Sequence, residues 1–242
     1  MEENVGSSLP KSSPSPTHSD LITSHLYYTG FVKGLYSDCL LRVMGPAFGD
    51  EGVVYRLHRL IIAQSPVIQE ALEQHGGNSS QGLNLTFSDP SLTPLGLSLS
   101  LAHLYSSFAP PLLTSSLSSS NSPSTLLRSV LAASYALGVR NLWELCLPHV
   151  THVLNDDTVK EWCDWCSAGY SWDGVQESIE EWLTLGLLKE CCSHGNKETG
   201  NVGWPHGSKM ERFVRVIAQI PFEWCKKVIE GGRLNFPSDM ER

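Results

Sequence analysis

The order of the secondary-structure signals predicts an α+β fold in which a small sheet is covered by helices. Cys39–Met44 and Val53–Leu57 are short apolar runs joined by a glycine-rich segment, which predicts a β-hairpin over residues 39–57. Residues 83–87 alternate apolar and polar side chains, and this alternation predicts a third, half-buried strand. Helical spacing of apolar residues dominates the remainder of the chain.

The chain is predicted to begin with a disordered tail that leads into an amphipathic helix. Residues 1–19 are rich in Ser and Pro and offer too little apolar surface to offset the entropy lost on ordering. From Asp20 to Leu35 the spacing predicts a helix. One face of that helix carries Leu21, His25, Tyr28, Val32 and Leu35.

Further helices are predicted between and after the strands. Ser65-Pro66 and Thr93-Pro94 each place a capping hydroxyl before a proline, the pattern of a helix start. Residues 109–125 (APPLLTSSLSSSNSPST) are predicted to be a Ser/Pro-rich loop. Helical patterns return at Leu126, and residues 155–242 are predicted to form an all-α extension of a domain at 20–154.

Composition limits the classes of function. The 242 residues carry 17 basic and 25 acidic side chains, a net charge of −8, and no Lys/Arg cluster forms a phosphate-binding surface, so we expect no direct nucleic-acid binding. No apolar run is long enough for a membrane span, and no signal segment is visible. With seven cysteines, an odd number, the chain is predicted to be a reduced intracellular protein of the cytoplasm or nucleus.

Four segments in order carry a family resemblance. They are SDCLLRV (37–43), YRLHRLIIAQSPVIQEAL (55–72), LNLTFSDPSLTPLGLSLSLAHLYSS (83–107) and STLLRSVLAASYALGVRNLWELC (124–146). Together they resemble the BTB/POZ domain, over about residues 21–150. The resemblance implies a small sheet covered by a helical cluster, and a protein–protein interaction module that acts as a dimerising scaffold or adaptor.

The C-terminal segment has a second likeness. Residues 219–242 (QIPFEWCKKVIEGGRLNFPSDMER) resemble the segment that follows the BTB domain in germ-cell-less-type and related fungal BTB proteins. This likeness implies that the helical extension is incomplete at its C-terminus, so that the chain is a piece of a longer protein.

The resemblance also implies which residues make contacts. Asp38 and Arg59 match a charged pair that binds partners near the dimer groove; the alternative is a structural bridge that closes the first helix against the hairpin. The face carrying Leu21, His25, Tyr28, Val32 and Leu35 corresponds to the dimer element, which implies a homodimer. His58 is expected to be a satisfied core histidine.

A substrate adaptor of a cullin-3 ubiquitin ligase is an alternative function. Relatives that recruit cullin-3 usually carry an acid after the third strand, whereas Ser91–Leu97 contains none. No Asp, Glu, Lys or Arg occurs from residue 90 to residue 127. A surface without charge there favours a scaffold over a cullin-3 adaptor.

The sequence bears on two other classes of function, an enzyme and a zinc-binding module. No motif of nucleotide, metalloprotease or serine-hydrolase chemistry occurs, so we expect no enzyme, no catalytic residue and no cofactor. Cys163 and Cys166, with Cys191 and Cys192 about 25 residues on, offer a second alternative, a zinc-binding module. Adjacent cysteines fit a zinc ribbon poorly, and buried helix-face thiols beside Trp162 and Trp165 are the favoured interpretation, with no metal bound.

Overall fold

The structure is a computed structural model, and it describes residues 17–74, 82–106, 109–168, 174–188 and 208–230. The strands are β1 (Cys39–Met44), β2 (Val53–Leu57) and β3 (Leu83–Thr86). The α-helices are α1 (His18–His25), α2 (Arg59–Ile62), α3 (Pro66–Gln74), α4 (Pro94–Tyr105), α5 (Ala109–Ser119), α6 (Pro123–Leu137), α7 (Arg140–Val153), α8 (Val159–Ser167), α9 (Val175–Glu181), α10 (Ser208–Gln219) and α11 (Phe222–Glu230). None of these helices is long and apolar enough to cross a membrane.

The sheet has three strands in the order β2-β1-β3. β1 and β2 pair antiparallel, with Leu41 opposite Tyr55, which confirms the predicted hairpin. β3 pairs parallel with β1, with Leu41 opposite Leu83, because the helices between β2 and β3 return the chain to the same end of the sheet. The α+β class predicted from the sequence is therefore confirmed.

One face of the sheet lies on the core and the other faces outward. Leu41 and Val43 of β1 are fully buried, whereas Leu40 and Arg42 between them are exposed. Helices α4 and α6 cross closely below the buried face: the main-chain N–H of Thr93, the N-cap of α4, donates to Ser129 Oγ of α6 at 2.8 Å. The sheet is therefore covered by helices on one side only among the described residues.

The described residues beyond 155 pack onto the same hydrophobic core as the sheet. Trp162 Nε1 of α8 donates to Ser124 Oγ of α6 at 2.7 Å. Arg128 of α6 pairs with Glu161 at 2.6 Å. The largest fully buried side chains come from both sides of residue 155: Leu41, Leu57, Ile62, Ile68, Leu92, Leu97, Leu101, Leu127, Leu131, Leu137, Trp162 and Ile179.

The prediction of a loop over residues 109–125 holds only for residues 120–122, because residues 109–119 form α5 and residues 123–125 begin α6. Leu113 and Leu117 lie one turn apart and are 3 % and 8 % exposed, so the helix buries an apolar stripe. Ser118 Oγ donates to the Thr114 carbonyl at 2.8 Å, which satisfies a hydroxyl that would otherwise compete with the helix. The helical spacing of the two leucines was therefore a better guide to this segment than its Ser- and Pro-rich composition.

The N-terminal helix differs from its prediction at both ends. It begins at His18, because Thr17 and Asp20 form a capping box in which the Thr17 N–H donates to Asp20 Oδ2 at 2.8 Å. The predicted disordered tail is thus wrong for residues 17–19, and residues 1–16 lie outside the described residues. After His25 the helix continues as a π-helix over Leu26–Val32, and it ends before Leu35.

Candidate functional site

The sequence-predicted pair Asp38 and Arg59 is in contact. Asp38 lies just before β1, and Arg59 is the first residue of α2. The main-chain N–H of Arg59 donates to Asp38 Oδ1 at 2.8 Å. The carboxylate therefore caps the start of α2, where helix N–H groups lack internal partners and a negative charge is favoured. This hydrogen bond favours the interpretation of Asp38 as a structural residue. In that role Asp38 ties the segment after the N-terminal helix to the end of the hairpin.

His58 links the segment after the N-terminal helix, the end of β2 and the end of α4. Its Nε2 lies 2.9 Å from the Leu35 carbonyl oxygen, and its Nδ1 lies 3.0 Å from the Tyr105 hydroxyl. A carbonyl oxygen only accepts, so Nε2 carries the proton and Nδ1 accepts from the hydroxyl of Tyr105. The His58 main-chain N–H donates back to that hydroxyl oxygen at 2.8 Å. Both ring nitrogens are thus occupied, as expected for a structural histidine.

Tyr105 is the buried end of this network. It is 3 % exposed at the end of α4. Burial raises the pKa of Tyr105 to about 12, so its hydroxyl keeps its proton and donates to His58. A Cβ on Gly30 would lie 3.2 Å from His58 Cε1 and 3.5 Å from Tyr105 Cε1, so the N-terminal helix approaches this pair closely. The network therefore fixes that helix against β2 and α4.

Replacing Tyr105 by Phe is expected to lower the free energy of unfolding by about 1–2 kcal/mol, because it leaves a His58 ring acceptor and a main-chain N–H without their partner. Urea denaturation followed by circular dichroism measures this loss. Tyr36→Phe is the matched control, since Tyr36 is 86 % exposed, and we expect it to be neutral. Equal stability of Tyr105→Phe and Tyr36→Phe would contradict the assigned network.

The N-terminal helix, residues 18–32, has an inward aromatic face. Tyr27 and Phe31 stack with centroids 5.9 Å apart, and Phe31 packs on Tyr105 at 5.2 Å. Neither Tyr27 nor Phe31 is among the residues predicted from the sequence, although their i, i+4 spacing is the signal for such a pair. With Gly30 between them, these residues attach the helix to the core, and the opposite face of the helix points away from it.

The five residues predicted for a dimer interface all lie on the surface. Leu21, Tyr28, Val32 and Leu35 are 57 %, 59 %, 58 % and 47 % exposed, and His25 is exposed as well. Ile22 and Leu26, which the prediction did not include, add to the same apolar surface at 48 % and 39 %. The N-terminal helix and the residues just after it therefore present six apolar side chains that are each 39–59 % exposed.

Two further apolar side chains flank the Asp38–Arg59 contact. Tyr36 is 86 % exposed and has a left-handed backbone with φ of 61°, which is uncommon for a bulky residue. Leu60 follows Arg59 in α2 and is 88 % exposed. The sequence does not indicate that Tyr36 and Leu60 are exposed. For Leu60, the apolar periodicity alone would place the side chain against the core.

The cysteine pair of α8 is buried beside tryptophan, as favoured from the sequence. Cys163 and Cys166 are 0 % and 8 % exposed. Burial raises the pKa of both thiols, that of Cys166 to about 12, and so disfavours the thiolate that zinc requires. The described residues contain no group of three or more side chains that could hold a metal ion. Cys191 and Cys192 lie outside the described residues, so the zinc module stays a prediction.

The segment predicted to matter for cullin-3 is mainly structural. Leu92 and Leu97 are fully buried, and Thr93 Oγ1 accepts from the Gly96 N–H at 3.2 Å to cap α4. Leu95, at 56 % exposed, is the apolar side chain of this segment that a partner could contact. The cullin-3 adaptor role stays a prediction.

Comparison with known proteins adds no relative: no model of a known protein family matches the chain, and no curated protein matches it.

Proposed function

We propose that this chain is a protein–protein interaction module of the BTB/POZ type that dimerises through its N-terminal helix and serves as a scaffold or adaptor. The proposal is supported by the four sequence segments that resemble the family and by the small sheet covered on one face by helices. The observation that carries it is the exposed apolar surface of the N-terminal helix, on which Leu21, Tyr28 and Val32 are each more than half exposed.

Exposure of that apolar surface to water costs free energy in a monomer. An apolar side chain gains about 25 cal/mol for each Å² removed from water, and monomeric proteins rarely leave a large continuous apolar patch exposed. The surface lies on one helix whose opposite face is held by Tyr27, Gly30 and Phe31, so it is presented on a rigid support. A second copy offers the same surface, and two such faces form an isologous interface.

Val32→Glu tests the dimer. We expect the unsubstituted chain to sediment as a dimer at about 10 μM, a typical working concentration for a moderate-affinity contact, and Val32→Glu to sediment as a monomer because a buried, unpaired carboxylate opposes association. Val214→Glu on α10 is the matched control, since Val214 is 55 % exposed against 58 % for Val32.

Two results would contradict dimerisation through this helix. One is a monomer for the unsubstituted chain at every concentration up to about 1 mM, beyond which a contact has little specific affinity. The other is dissociation of the dimer by Val214→Glu to the same extent as by Val32→Glu. Circular dichroism of both variants checks that the fold is retained.

A further inference from the structure

A cavity of about 350 Å³ lies between the N-terminal helix and the edge of the sheet. This volume falls in the range of protein ligand clefts, about 300–1,000 Å³. The residues that line it come from the helix, from β2 and from α4: Tyr27, Phe31, Val32, Tyr55, Arg56, Leu57 and Ser98. Its aromatic wall is rigid, because Phe31 packs on both Tyr27 and Tyr105.

The cavity is an open slot. Val32, which also belongs to the proposed dimer surface, is 58 % exposed at one rim of the protomer's slot, and Arg56 at the other rim is exposed as well. A cleft for a small molecule typically encloses most of its ligand. A slot that stays open on its Arg56 side encloses less, and it suits a segment of chain that inserts one side chain and continues along the surface.

The cavity follows the main chain of an edge strand. Tyr55, Arg56 and Leu57 are consecutive residues of β2, and all three line it. β1 pairs with β2 on one side, and no other strand of the described residues pairs with it on the other. A free strand edge is a template for a further extended segment, with main-chain hydrogen bonds giving affinity and side-chain pockets giving specificity.

The charge around the slot is positive. Arg56 lies diagonally from Arg42 on the outward face of the sheet, since the register pairs Arg42 with Val54 and Leu40 with Arg56. The Arg56 stem covers Gly34, where a Cβ would lie 3.1 Å from Arg56 Cβ, and Lys33 is next to that glycine. Within the described ranges no carboxylate forms an ion pair with Lys33, Arg42 or Arg56.

The outward face of the three described strands also contains no acidic residue. Its side chains are those of Leu40, Arg42, Met44, Val54, Arg56, Asn84 and Thr86. The chain as a whole carries a net charge of −8, so this face has the opposite sign to the protein that bears it. The described residues leave these cations without an ion pair, and the cations lie beside an aromatic slot. This arrangement is complementary to a segment that carries carboxylates next to an apolar or aromatic side chain.

We propose that the slot between the N-terminal helix and β2 binds an extended segment of a partner protein in which acidic residues flank an aromatic or large apolar one. The apolar side chain enters the slot against Tyr27 and Phe31, the segment pairs with the edge of β2, and its carboxylates pair with Arg56 and Arg42. This inference rests on the proposed function as an interaction module, and it names the chemistry of the partner.

Selection from a library of random twelve-residue peptides tests the proposal with the full chain as bait. We expect the selected peptides to be enriched in Asp and Glu next to an aromatic or large apolar residue. A labelled selected peptide is then measured by fluorescence anisotropy against Arg56→Gln, which keeps the stem over Gly34 and removes the charge. We expect the peptide to bind Arg56→Gln at least about tenfold more weakly than the unsubstituted chain. Added salt is expected to weaken binding of the peptide to the unsubstituted chain.

Arg140→Gln is the matched control, because Arg140 is an exposed arginine of α7, 83 % accessible at its side chain. We expect it to leave peptide affinity unchanged. Selected peptides without acidic enrichment, or equal affinity for the Arg56→Gln variant and the unsubstituted chain, would overturn the proposal. Sedimentation reports the dimer independently. An unsubstituted chain that dimerises but selects no acidic peptides would therefore show that this inference fails while the proposed function stands.

Discussion

Trp162→Ala is expected to lower the free energy of unfolding by about 3–5 kcal/mol, the usual cost of truncating a fully buried aromatic residue. Trp162 is 0 % exposed and packs edge-to-face on Trp165 with centroids 5.7 Å apart. Its Nε1 donates to Ser124 Oγ, so the truncation also leaves a buried hydroxyl without this donor. The guanidinium of Arg128 lies 5.9 Å from the ring centroid and loses that contact too.

Urea denaturation of purified protein, followed by circular dichroism, measures the loss. Phe222→Ala on α11 is the control for aromatic truncation, because Phe222 is 75 % exposed and its removal is expected to change stability by less than about 0.5 kcal/mol. A loss below about 1 kcal/mol for Trp162→Ala would be inconsistent with a cavity in a shared core.

The shape of the transition carries further information. Trp162 of α8 contacts Ser124 of α6, so one side chain joins the domain that contains the sheet to the helices beyond residue 155. If both parts share a core, Trp162→Ala shifts a single cooperative transition to lower urea. If instead two separate transitions occur and Trp162→Ala shifts only one of them, the extension unfolds by itself.

Local signals predicted most of the elements of this fold. Gly138, with φ of 68°, ends α6 as its position after an apolar helical pattern indicates. Thr93 caps α4, and Pro94 is its first residue, as the dipeptide predicted. Both features depend on a few neighbouring residues, so the sequence contains all of the information that they require.

Elements that depend on distant contacts were not accessible in the same way. The parallel pairing of β3 with β1 joins Leu83 to Leu41 across the intervening helices, and alternation in β3 does not reveal its partner. α5 is a Ser- and Pro-rich segment whose helix depends on burial of Leu113 and Leu117 against the neighbouring helices. Composition outweighed spacing in the prediction, whereas tertiary packing decided the structure.

In the candidate site, too, some features were predictable from the sequence and others were not. The sequence resemblance to the BTB/POZ domain implied a contact between Asp38 and Arg59, but the carboxylate bonds to the main-chain N–H, a group that every residue except proline carries. The Leu35 carbonyl that accepts from His58 is equally invisible in a sequence. The sequence resemblance therefore located the site, and main-chain geometry determined what its residues do there.

Gly96→Ala is expected to lower the free energy of unfolding by about 3 kcal/mol, the upper end of the usual cost of overpacking. In an isolated helix the same change would stabilise by about 1 kcal/mol, because alanine is the better helix former. At Gly96 the steric effect wins. A Cβ there would lie 2.7 Å from both Ser129 Cβ and the Ser129 main-chain carbon, so α4 and α6 must move apart.

A second background separates this steric effect from any other consequence of the substitution. Ser129→Gly removes the side chain that the new Cβ meets, and Gly96→Ala should then cost at least about 1 kcal/mol less than in the unsubstituted chain, a coupling that a double-mutant cycle measures. Gly49→Ala is the comparison without a steric contact: no atom lies within 4 Å of its Cβ position, so only its φ of 70° opposes the change, at a cost of about 1 kcal/mol. The same cost for Gly96→Ala in both backgrounds would mean that the side chain of Ser129 is not what limits the size of residue 96.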